Sequence, residues 1–169
     1  MEESLKKREA DVMKAAENAD LVEQIAQKFS LHNLEAGQFS PLTLAFIGDS
    51  VYDFIIRTIV VEQGNAPVNR LHKRCSALVK APAQMKILHL IENELTEEEL
   101  AIYKRGRNAK SYTSAKNATI SEYRIATGLE ALIGYLYLNK QFDRVLELVR
   151  LGLERYMDEN EFMGPGSGR

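Results

Sequence analysis

The stretch from Pro41 to Gln63 constrains this chain more than any other part of it. Ser40 can cap a helix here, and Pro41 suits the first helical position, where its missing N–H would have no partner anyway. Gly64 supplies the stop. Between them Leu42, Leu44, Ala45, Phe46, Ile47, Val51, Phe54, Ile55, Ile56, Ile59 and Val60 point to nearly every side of the helix. Such a helix has to be surrounded, in a core or at a subunit contact.

Helical patterns account for most of the remainder, and no segment reads as a strand, so the expected class is all-α. An amphipathic helix is predicted from about Glu3 to Phe29, followed by a polar connector to Phe39. Further helices are predicted over Val68–Lys80, Pro82–Asn93, Thr96–Arg105, Ser121–Asn139 and Gln141–Met157. Thr96 with Glu99 has the spacing of a capping box, and Ser121 is the expected cap of its helix. Gly106 to Thr119 has no periodicity and reads as a loop. The expected organisation is a helical extension and connector over 1–39, a main domain over 40–157, and a flexible Gly-rich tail over 158–169.

Cys75 is the only cysteine, which fits a reduced compartment. No signal peptide pattern opens the chain, and no apolar run approaches the ~20 residues that span a bilayer. A cytoplasmic protein without a membrane segment is therefore expected.

The net charge of −2 hides an uneven distribution. Residues 104–124 carry six basic side chains and one acidic one. Within them, Arg105, Arg107, Asn108, Lys110 and Ser111 form a run suited to gripping phosphates. Lys73, Arg74 and Lys80 are a second candidate set, on the predicted Val68–Lys80 helix. Either set can also be the wet face of an ordinary protein.

Two carboxylates stand out, Asp49 and Glu130. Each lies in an apolar helix beside glycine: Gly48 for the first, Gly128 and Gly134 for the second. A lone charge among apolar neighbours costs several kcal/mol unless something compensates it. A small residue beside it lets a backbone or a ligand approach. Two such helices can share an oxygen-only site, which suits Mg²⁺ or Mn²⁺ rather than zinc. A buried ion-pair network is the competing reading. Asp53, one turn on, reads as a second acceptor or as a salt-bridge partner of Arg57. His32, His72 and His89 lack zinc spacing, and no Gly-rich nucleotide loop is present.

The segment Leu44-Ala45-Phe46-Ile47-Gly48-Asp49-Ser50-Val51 resembles the signature helix of the ribonuclease III catalytic domain. Leu129-Glu130-Ala131-Leu132-Ile133-Gly134-Tyr135 resembles its second acidic motif, and Leu71 through Gln84 resembles the stretch between them. The resemblance runs in order from Pro41 to Asn139. It is greatest to the Mini-ribonuclease III subfamily, the small bacterial form without a double-stranded-RNA-binding domain. Ribonuclease III proper has acids where this chain has Ala45 and Thr127, and the small form shares both departures.

The resemblance implies the catalytic-domain helical fold with an N-terminal helical extension, and metal-dependent cleavage of double-stranded RNA to leave a 5′-phosphate. It implies Asp49 and Glu130 as catalytic metal ligands, Mg²⁺ as cofactor with Mn²⁺ as substitute, and a homodimer. It also implies maturation of both ends of the 23S ribosomal RNA precursor. A non-catalytic RNA-binding homologue and a helical protein–protein adaptor are the rival readings.

Overall fold

The computed structural model describes residues 4–8, 20–32, 34–110 and 118–160. Every described element is helical. The chain divides into two compact units, Met1–Glu35 and Ala36–Arg169.

In the first unit, residues 4–8 are helical, and helix α1 spans Leu21–Lys28. The predicted helix from Glu3 to Phe29 is not continuous. Asp20 is extended, and its carboxylate accepts the Glu23 N–H at 2.9 Å, so a new helix starts there. α1 buries none of its residues within this unit.

The second unit opens with a 3₁₀ turn, Ala36–Gln38, and then α2, Pro41–Glu62. α2 starts as its sequence dictates: Ser40 Oγ accepts the Thr43 N–H, with Pro41 in the first turn. α3 covers Val68–Val79 and α4 covers Ala81–Ile91, joined at the extended Lys80. A 3₁₀ turn, Glu92–Glu94, leads to α5, Glu97–Asn108, whose Thr96–Glu99 capping box forms as predicted. α6 spans Ile120–Leu138 and α7 spans Phe142–Asn160.

Three predicted boundaries need correction. α6 is capped by Thr119 rather than Ser121, because Thr119 and Glu122 complete a second capping box. α7 continues to Asn160, into the segment predicted as a flexible tail. α5 runs through Gly106, Arg107 and Asn108, which were predicted to lie in a loop. Gly106 is retained in the helix because α6 needs its bareness. A Cβ there would lie 2.6 Å from Ala131 Cβ and 3.0 Å from Gly128 Cα.

α6 is the centre of this unit. Ala126 through Leu129 and Ala131 through Tyr137 are all buried, with α2, α4 and α5 packed around them. α7 closes the core with Val145, Leu148, Val149 and Leu153, spaced as one helical face. A half-buried ion pair anchors it: Arg144 donates to both oxygens of Glu99 at 2.9 Å and to the Glu94 carbonyl.

α2 and α6 meet backbone to backbone. A Cβ on Gly48 would lie 1.7 Å from the carbonyl oxygen of Glu130, and one on Gly134 would lie 1.9 Å from that of Leu44. Neither neighbour is a side chain that can swing aside. Gly48→Ala is expected to destabilise the fold by about 3 kcal/mol or more, as severe overpacking does. Gly37→Ala, with nothing within 4 Å of the new Cβ, is expected to change stability little. Urea unfolding of both variants measures the contrast.

A carboxylate pair between two glycine-packed helices

The Gly48–Gly134 crossing decides where the two carboxylates sit. Asp49 follows Gly48 on α2, and the Gly48 backbone rests on the backbone of Glu130. The two side chains therefore meet at the crossing, close enough that each carboxyl shifts the titration of the other.

Their surroundings differ. Glu130 is half-buried, and burial, followed by the charge of Asp49, pushes its carboxyl up to about 8. Asp49 was expected inside an apolar helix, but the residue is exposed. It lies on the outer side of α2, where Leu42 and Phe46 are exposed as well. Its carboxyl is nevertheless enclosed enough that loss of water raises it, and the charge of Asp53 raises it further. Asp53 pairs with Arg57 at 2.6 Å, one of the roles its spacing allowed.

Both acids are thus held toward the protonated form, in want of positive charge. Among the described residues no cluster of three or more His, Cys, Asp or Glu side chains gathers as a metal site. Ala45 is buried, and the Thr127 hydroxyl donates to the Tyr123 carbonyl of its own helix, so neither adds a ligand. The donor set is two carboxylates, which fits a hard divalent cation that keeps several of its waters.

Gln84 was not singled out in the sequence. It is 2% exposed, and its Nε2 donates to Glu130 Oε1 at 3.1 Å and to the Val79 carbonyl at 2.9 Å. Its Oε1 is buried without a partner.

The basic candidates fall into two groups. Lys73, Arg74 and Lys80 line one groove of about 540 Å³ together with Arg70, Ser76 and Ala77. Arg70 was missed, because it reads as an ordinary exposed residue of the first turn of α3. Arg105 and Asn108 are exposed at the end of α5, and Lys110 is exposed just beyond it. Arg107 is half-buried, with its guanidinium 5.5 Å from the Tyr103 ring centroid and its Nε donating to Asn108. None of these four lines the α3 groove. Ser111 lies outside the described residues.

Comparison with known proteins gives the chain its relatives. Residues 42–141 match the ribonuclease III domain family. The chain is 43% identical over 145 residues to Mini-ribonuclease 3 of Clostridium tetani, covering 85% of this chain and 95% of that protein. It is 50% identical over 115 residues to Mini-ribonuclease 3 of a Thermoanaerobacter species, covering 68% and 81%. A crystal structure of a Fusobacterium nucleatum protein superposes with a TM-score of 0.63 at 34% identity, covering 69% of this chain and 93% of that one.

The raised carboxyls make metal-free stability depend on pH. Unfolded, Glu130 releases its proton near 4.5; folded, it holds it to about 8. The folded chain therefore binds more protons between those values, and its stability falls as pH rises through them. In chelator, the melting temperature is expected to drop by several degrees from about pH 5 to about pH 8. Glu130→Gln is expected to flatten that slope, and a slope unchanged by the substitution would contradict the assignment.

Proposed function

From the premise that this chain belongs to the ribonuclease III family, we propose that it is a metal-dependent endoribonuclease whose working carboxylates are Asp49 and Glu130. Cleavage of double-stranded RNA follows from the family; the residue assignment rests on one observation, the Gly48–Gly134 crossing that brings Asp49 beside Glu130. Mg²⁺ is the proposed ion, with Mn²⁺ as a substitute, because an all-oxygen pair suits them.

The ion, when bound, supplies Lewis acidity, lowering the pKa of water and offsetting the charge that grows on the phosphate. The chain's own contribution is placement. Asp49 and Glu130 present two carboxylates, each raised toward its protonated form when no cation is near, from two packed helices. Lys73, Arg74 and Lys80 in the α3 groove, with Arg105, Arg107, Asn108, Lys110 and Ser111, are the proposed contacts to the RNA backbone. Such contacts recognise A-form shape and not sequence, since the RNA major groove is too deep and narrow for side chains to read. Hydrolysis is expected to leave a 5′-phosphate. The proposed physiological substrate is the 23S ribosomal RNA precursor, which rests on the likeness to the small bacterial form of the family. Among the described residues no helix is long and apolar enough to cross a membrane.

The proposed assembly is a homodimer formed through the outer face of α2. Leu42, Phe46, Phe54 and Val61 lie there, and Phe46 is 80% exposed. A large apolar side chain so bare, in a row with others, marks a surface that a partner covers. Phe46→Asp is expected to convert the dimer to monomer in sedimentation equilibrium; a wild-type chain that sediments as a monomer would remove the proposal.

Asp49→Asn tests the site. It is expected to lower cleavage of duplex RNA by about three orders of magnitude, the loss of several kcal/mol of transition-state stabilisation. Binding of the same duplex in a gel shift should persist and weaken with salt. Cleavage that survives Asp49→Asn would defeat the metal assignment, and absence of any salt-sensitive shift would favour an adaptor.

A further inference from the structure

α4 buries Ala83, Gln84, Ile87, Leu88 and Ile91, and Gln84 is the one polar side chain among them. A leucine or methionine would fill the same space without an amide to satisfy. Burying an amide is costly unless its groups are paired, and the Gln84 carbonyl has no protein partner.

Its orientation is fixed by chemistry. The Val79 carbonyl can only accept, so the amide nitrogen must face it, 2.9 Å away. The same nitrogen's other hydrogen then goes to Glu130 Oε1 at 3.1 Å. Gln84 thus joins the end of α3 to the inner carboxylate. The neighbouring carbonyl of α3, Leu78, is held separately, by the Tyr52 hydroxyl from α2 at 2.8 Å. Lys80, at the rim of the basic groove, follows directly on this junction.

We propose that Gln84 is a positioning residue that holds Glu130 in its metal-binding orientation from the core side and fixes it relative to the basic groove of α3. A glutamate side chain has several rotatable bonds, and a pair of ligands binds an ion well only if both are held ready. Partners behind the ligands supply that order, and their loss costs roughly 10–100-fold in metal affinity or activity. This inference rests on the reading of Asp49 and Glu130 as metal ligands.

Gln84→Met keeps the volume and removes both amide hydrogens. Mn²⁺ binding to the RNA-free protein, followed by the electron paramagnetic resonance of the free ion, is expected to weaken about 10–100-fold. At limiting Mg²⁺, kcat should fall while KM for duplex RNA stays near wild type. Should Gln84→Met not fold, Gln84→Asn is read in its place: it keeps the amide but is too short to reach both acceptors. Tyr52→Phe is the structural comparison, since it removes the other tie to the end of α3 without touching either carboxylate. It is expected to lower stability with Mn²⁺ affinity little changed. Wild-type Mn²⁺ affinity and kcat in the Gln84 variants, with only stability lost, would overturn the proposal. A wild-type protein that neither binds Mn²⁺ nor cuts duplex RNA would instead overturn the functional reading on which it rests.

Discussion

Helices α2 and α6 touch through their backbones at Gly48 and Gly134, and the rest of the molecule is arranged around that contact. Ordinary helix pairs are kept apart by side chains at about 8–10 Å between axes. Here the absence of Cβ atoms lets the Glu130 carbonyl sit where the Gly48 side chain would be. The carboxylates of Asp49 and Glu130 are drawn together as a result. A second glycine contact, Gly106 against Gly128, brings α5 close to α6 as well, though less tightly. α6 is thereby packed on two sides over its buried stretch, and Glu130 on it is held beside Asp49 of α2.

That geometry explains why the pair is electrostatically costly and why the cost is tolerated. Burial and mutual repulsion both oppose ionisation of Glu130. A fold does not keep such a pair for stability alone, since replacing buried charged groups by well-packed apolar residues is often neutral or stabilising. A cation reverses the sign of the interaction: the same proximity that forces one acid to keep its proton becomes attraction to a shared ion. The two roles are split between the helices. Asp49 is exposed on the outer side of α2, while Glu130 accepts from Gln84 on the core side.

Much of this was legible in the sequence, wherever the signal is local. Ser40 with Pro41, and Thr96 with Glu99, specify helix starts through contacts made within one turn, and both appear in the structure. Asp49 and Glu130 stood out because each is a charge in an apolar helix beside glycine. What failed depended on tertiary neighbours. Gly106 reads as a helix end locally, yet it is required inside α5 because α6 passes against it. Asp49 was placed inward because α2 is apolar on almost every side, so its pattern does not say which side faces solvent. Gln84 left no trace, since a glutamine on a short helix is unremarkable until its amide is found between Val79 and Glu130. The grouping of Arg70 with Lys73, Arg74 and Lys80 likewise appears only once the helix is placed.

The central claim is that the Asp49–Glu130 pair works as a divalent-metal site for hydrolysing duplex RNA. Incubating the wild-type chain with a labelled RNA duplex, with Mg²⁺ or with chelator, and determining the chemistry of the product ends tests it most directly. The account predicts cleavage only with the ion, giving 5′-phosphate and 3′-hydroxyl ends. Cleavage that persists in chelator, or products ending in a 2′,3′-cyclic phosphate from attack by the neighbouring 2′-hydroxyl, would contradict it.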